Sequence, residues 1–179
     1  MIPRGRRWPI RVARACYHPG MSARELLVET FAHIPPAQAI EGLSPADAER
    51  RVPGVHHSIA EIVAHVTFWA TWFCERCEGT NAPMVASAAT GWPPVAPGSW
   101  PDVQARFLSV LERAAAIGDD EGRLASKITP PIDFPPLAHY TVRDGIIHTA
   151  QHSAHHLGQV IVMRQMMGLW PPPSGSFTW

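Results

Sequence analysis

Apolar residues recur at helical spacing in four stretches of this chain, and capping residues punctuate them. The first stretch opens at Ser22 and carries Leu26, Leu27, Thr30, Phe31 and Ile34. It predicts a helix over 22–40 that Pro35 and Pro36 end or kink. A short turn follows at Ser44, Pro45 and Asp47, a cap with proline at the first helical position. The second long helix is expected over 58–78. Ser58 with Glu61 three residues on forms a capping box, and Ile59, Ile62, Val66, Trp69 and Phe73 make one stripe with Val63 beside it.

The third helix is expected over 101–117, through Val103, Phe107, Val110, Leu111 and Ala114. The fourth is expected over 141–168. It opens at Thr141 with Asp144 three residues on, runs through Ile147, Leu157, Val160 and Ile161, and closes at Gly168. Residues 79–100 are rich in proline, glycine and small residues, and a loop of that length inside one domain is often functional. A second loop carries Pro130, Pro131, Pro135 and Pro136, and prolines keep the tail at 169–179 extended. No stretch alternates as a strand does. The fold class expected is therefore all-α: a four-helix bundle with long inter-helix loops, whose connections need not be simple hairpins.

Composition narrows this picture. At 179 residues, 46% hydrophobic and 17% charged, the chain has enough apolar material for one core and is too apolar to be disordered. It contains no membrane-length apolar run. Basic and acidic residues balance at fifteen each, so no nucleic-acid partner and no membrane are expected. The balance is uneven along the chain. Residues 1–20 hold Arg4, Arg6, Arg7, Arg11 and Arg14 without an acid, leaving ten basic against fifteen acidic residues in 21–179. The organisation expected is a basic N-terminal arm (1–20), a bundle (21–168) and a Pro/Trp-rich tail (169–179). Three cysteines, Cys16, Cys74 and Cys77, are too few for a disulfide scaffold and point to a reduced, cytoplasmic setting.

The histidines carry the chemistry. Five of the ten (His139, His148, His152, His155 and His156) fall within eighteen residues. His148, His152 and His156 are spaced by four, so they share a helix face, and two imidazoles at i and i+4 can converge on one ion. His155 lies on the flank. On the second helix His65 sits among Ile62, Trp69 and Trp72 and, facing the core, needs a hydrogen-bond partner or a metal. An all-histidine donor set favours zinc, nickel, iron(II) or copper over magnesium or calcium. The Glu-x-x-His pattern of di-iron bundles is absent, because Glu61 to His65 and Glu29 to His33 are one residue too long. Cys74 and Cys77 lack a second ligand pair and read as structural. His56 and His57 read as surface residues. Gly158 reads as a close helix approach. Gln159, one turn beyond His156, could orient a water or a ligating ring, or simply occupy the helix flank.

Two phrases, SIAEIVAHVTFW (58–69) and HSAHHLGQVIVMRQMMGLWPP (152–172), with IEGLSPADAERRVPG (40–54) between the first two helices, resemble the DinB/YfiT-like family over residues 22–172. The resemblance implies a four-helix bundle of unusual helix order and a homodimer, for which Trp170 and Trp179 are candidate anchors. It implies a divalent metal, zinc or nickel, held by His65, His152 and His156. It further implies a metal-dependent enzyme of thiol-dependent transferase or isomerase type, in which the metal activates the sulfur of a low-molecular-weight thiol toward a small-molecule substrate. A metal-binding, stress-associated protein without catalysis and a small-molecule hydrolase are the alternatives. His148 and His155 depart from the family pattern and leave open which pair on the fourth helix ligates.

Overall fold

Capping residues set where the helices begin. Ser22, Ser58 and Thr141 each accept a hydrogen bond from the backbone three residues on, while Glu25, Glu61 and Asp144 each accept one from the cap backbone N–H. The computed structural model describes residues 21–30 and 32–176. The basic arm at 1–20 with Cys16, and also Phe31 and Trp179, lie outside the described residues. The helices are α1 (Ala23–Leu27), α2 (Pro36–Ala39), α3 (Pro45–Glu49), α4 (Ile59–Cys77), α5 (Trp100–Gly118), α6 (Glu121–Leu124) and α7 (Val142–Met166). Among the described residues there is no strand, only an isolated bridge between Lys127 and Thr141. No helix there is long and apolar enough to cross a membrane.

The three long helices fall where the apolar periodicity places them. The first does not. Instead of one helix over 22–40, the chain makes two short ones separated by eight residues. Two local causes act. After Leu27 the Glu29 amide bonds back to the Arg24 carbonyl, which closes the turn, and Thr30 Oγ1 captures the Ala32 amide. Pro35 and Pro36 then lack the amides a continuing helix would use, so Pro36 serves as the first residue of α2.

α4 and α5 run parallel. Arg113, late in α5, pairs with Glu78 at the end of α4, and Arg123 just beyond α5 bonds the Cys77 carbonyl. At the other end Trp100 and Gly98 are tied to Leu43 and Glu49, close to where α4 begins. Parallel neighbours cannot be joined by a hairpin. Residues 78–99 must return along the whole of α4, which is ~28 Å long at 1.5 Å per residue. That requirement explains the long loop. α7 runs antiparallel to α4: Phe73 meets His148, whereas His65 meets His152 and His156.

The core lies between these three helices, built on Ile62, Val66, Phe73, Phe107, Leu111, Leu157 and Val160. Two buried arginines tie the periphery to it. Arg76, 2% exposed, donates to Asn81 Oδ1 at 2.8 Å and to the Ala82 and Pro130 carbonyls, anchoring the start of the crossover and the proline-rich loop. Arg164 donates to the Ala39 and Leu169 carbonyls. The described part of the tail folds back on its own bundle. Trp170 is half-buried beside Arg164, and Ser174 donates to Glu41. Trp170 is thus engaged within its own chain. Gly158 differs from expectation too: it is exposed, and a Cβ there would meet nothing within 4 Å among the described residues. Within the long helices the close approaches are at Gly118 and Gly145. A Cβ on the first would overlap Ala23, and a Cβ on the second would lie 2.8 Å from Cys77 Sγ.

Candidate metal centre

His65, His152 and His156 come together between α4 and α7. One ring nitrogen from each lies within 4.8 Å of the others, the one such cluster of three potential ligands among the described residues. The helix geometry explains the selection. His65 projects from the buried stripe of α4, 7% exposed, and His156 from that of α7, 8% exposed. His152 is one turn before His156, and their Nε2 atoms are 3.1 Å apart. Two donors held ~2.0–2.1 Å from an ion at a tetrahedral angle lie ~3.3 Å apart, so this pair is already near ligating distance.

Hydrogen bonds fix the direction of two lone pairs. His65 Nδ1 is 2.6 Å from the Gly91 carbonyl, which can only accept. Nδ1 therefore carries the proton, and Nε2 is left as the donor atom for an ion. His156 Nδ1 lies 2.8 Å from Gln159 Oε1, so its Nε2 also carries a lone pair, aimed at His152. The Gln159 amide nitrogen reaches His155 Nε2 at 3.4 Å. Gln159 thereby orients a ring of the cluster, one of the two roles its spacing allows. Facing imidazole nitrogens need either a proton or a cation between them, and the donor set fits a borderline-soft divalent ion.

Electrostatics keep the rings neutral. Burial lowers the His65 pKa to about 4, against the opposing hydrogen bond to Gly91 and with help from His156. Burial also lowers His152 to about 3, reinforced by His156 and His65. His156 is lowered by burial as well. Neutral imidazole is the form that ligates metal.

The remaining histidines separate cleanly. His148 is not part of the cluster. It lies two turns, ~12 Å along the axis, before His156, with Nδ1 hydrogen-bonded to the Tyr140 hydroxyl at 3.1 Å and its ring 4.5 Å from Phe73. His155 is exposed and touches the cluster through Gln159. His56 is exposed, as its position before the α4 cap suggests. His57 is not a plain surface residue. It stacks on Trp92 with centroids 3.7 Å apart and planes 9° from parallel, while His65 stacks on the same ring at 3.8 Å and 13°. Two rings cannot share one face at that distance, so the indole is sandwiched between them. Gly91 and Trp92 are the site residues that periodicity could not identify. They lie in the crossover, which the sequence marks as unusual in length but supplies with no motif.

Beside the cluster a chamber of 550 Å³ opens, lined by His57, Trp92, His156, Gln159 and Val162 among others. Its size suits a small organic molecule. A ligand entering it meets one edge of the three-histidine group through His156, while Trp92 walls off the His65 side. Cys74 and Cys77 face elsewhere. Both are buried free thiols, pushed by burial to about 12 and about 11, and so unreactive.

No curated protein matches the chain. A family model described as the DinB superfamily matches residues 37–160, from α2 through all three clustered histidines. The chain belongs to the DinB superfamily.

Proposed function

We propose that this protein is a metal-dependent enzyme of thiol-dependent transferase or isomerase type, with zinc or nickel held by His65, His152 and His156. The observation that carries this reading is a neutral three-imidazole cluster beside a chamber that one of its rings, His156, lines. Three protein donors leave a coordination position free, as catalytic sites do and closed structural sites do not. When bound, the ion supplies a full double charge that favours an anionic ligand, since none of its three donors neutralises it. The chain's own residues do the rest. Gly91 and Gln159 aim the rings, Trp92 excludes water from the His65 side, and the chamber positions a small substrate against His156. A reduced cytoplasmic setting fits the free thiols of Cys74 and Cys77. Pairing with a second copy belongs to the same reading, and exposed Val162 and Met166 on α7 offer apolar surface for it.

The test is metal analysis of the purified protein followed by a screen for thiol-dependent turnover with several low-molecular-weight thiols. About one equivalent of zinc or nickel, lost in His65→Ala, supports the site. Stoichiometric metal without turnover of any thiol-dependent kind moves the reading to a metal-binding protein without catalysis. Absence of bound metal after reconstitution overturns it.

A further inference from the structure

A second cavity lies on another face of α4 and shares no lining residue with the chamber at the histidine cluster. Its volume is 480 Å³. Ala64, Phe68 and Trp72 of α4, Val103 of α5, and Pro93 to Ala96 of the crossover form its walls. Most of its polar atoms are already spent. Trp72 Nε1 donates to the Pro83 carbonyl, Thr67 Oγ1 to the Val63 carbonyl and Ser99 Oγ to the Ala96 carbonyl. Their donor hydrogens are therefore not available to a ligand.

Three polar side chains are not spent. Thr71 and Glu75 lie one turn apart on α4, and Arg106 on α5 lines the same cavity. The side chains of Glu75 and Arg106 form no ion pair with each other or with any other described residue. Arg113, whose charge reaches Glu75, is committed to Glu78. Glu75 is half-buried beside aromatic and proline surface, and Arg106 faces it from the exposed side of α5. An apolar hollow therefore has one unpaired anion, one unpaired cation and one unpaired hydroxyl among its lining groups.

We propose that this cavity binds a free α-amino acid with a large apolar side chain. The ligand ammonium faces Glu75, its carboxylate faces Arg106, and its side chain packs between Phe68, Trp72 and the Pro93–Pro94 surface. A molecule with only one of the two charges forgoes one of the two charge-assisted contacts, so both are needed for full affinity. The site does not use the metal.

Calorimetric titration with L-phenylalanine tests this on the chelator-treated and the metal-loaded full chain. Saturable binding is expected in both. Arg106→Ala and Glu75→Gln are each expected to weaken it by about tenfold or more, as is replacing the ligand by 3-phenylpropionate or phenethylamine. Both substitutions are outside the core, so circular dichroism should show intact helices. No binding up to ~10 mM, a range that covers weak metabolite sites, overturns the proposal. So does binding that Arg106→Ala leaves intact, or that appears only in the metal-loaded chain, since the latter puts the ligand at the histidine cluster instead. Failure to find metal leaves the proposal standing, and failure to bind phenylalanine leaves the metal reading standing.

Discussion

The rings of His65 and Trp92 stack with centroids 3.8 Å apart and planes 13° from parallel, although 27 positions separate them. The adjacent carbonyl of Gly91 accepts a hydrogen bond from His65 Nδ1. One dipeptide of the crossover thus fixes both the plane and the tautomer of a candidate ligand. Trp92→Ala removes the wall and frees the ring to rotate. Metal affinity, read by competition with a chromogenic chelator, is expected to fall by about 10–100-fold, the range found when groups supporting a ligand are lost. Helix content should be unchanged, because Trp92 is only half-buried and lies outside the long helices. Unaltered affinity would show that Gly91 alone sets the ring.

Gln159 makes the equivalent contact on α7. Gln159→Leu keeps the size of the side chain and deletes the acceptor for His156 Nδ1. Metal affinity should again drop by roughly 10–100-fold, whereas Gln151→Leu, an exposed position one turn before His155, should leave it unchanged. Equal effects of the two substitutions would reduce Gln159 to a polar residue on the helix flank.

These supports differ in how well the sequence exposes them. Helix periodicity and capping boxes locate α4, α5 and α7 to within a residue or two, because their signals are local. The i, i+4 spacing places His152 and His156 on one face for the same reason. It places His148 there as well, and only the Tyr140 hydroxyl and the axial distance separate it from the cluster. Trp92 and Gly91 reach the site because α4 and α5 are parallel, which forces residues 78–99 back along the bundle. That constraint is a property of the assembled helices and leaves no trace in the spacing of the loop itself. The break after Leu27 was hidden differently: apolar residues continue at helical spacing through it, while Thr30 and the paired prolines redirect the backbone.

Packing at two glycines gives opposite expectations for one substitution. A Cβ at Gly118 would overlap Ala23 and lie 3.0 Å from Ile146, so Gly118→Ala must displace α1 from α5 and α7. A loss of ~1–3 kcal/mol is expected in urea unfolding. At exposed Gly158 nothing lies within 4 Å, and Gly158→Ala should add up to ~1 kcal/mol through helix propensity. The unfolding midpoints of the two variants should therefore move in opposite directions.

The buried histidines also set the acid limit of the metal-free protein. An unfolded histidine takes up its proton near pH 6.5. Folded, His65 does so at about 4 and His152 at about 3, mainly because burial penalises the charged ring. Between these values the unfolded chain binds more protons, so stability is lost as pH falls from about 6.5 and is flat above about 7. The urea midpoint of chelator-treated protein should drop between pH 7.5 and pH 5. Replacing both rings by apolar ones, His65→Phe with His152→Leu, should shrink that drop, leaving the smaller part due to His156 and His148, which burial also lowers. A wild-type midpoint independent of pH would mean that the rings are solvated when the metal is absent.

The anion that the centre prefers separates transferase chemistry from hydrolysis. A divalent ion on three neutral imidazoles keeps its double charge, and the aromatic wall of Trp92 limits screening by water. Thiolate and hydroxide both answer that charge. His65→Ala and His156→Ala should abolish metal and activity together under either chemistry, so these variants establish the site without choosing between them. Cobalt substitution makes the choice visible. If a small thiol enters the chamber beside His156 and ligates, the cobalt protein should develop an intense sulfur-to-metal charge-transfer band on thiol addition. The band should saturate, and it should be weakened by filling the chamber with Val162→Trp, since Val162 lines it and is exposed. A spectrum unchanged at millimolar thiol, with metal still bound, would turn the assignment away from thiol transfer and towards hydrolysis or metal binding alone.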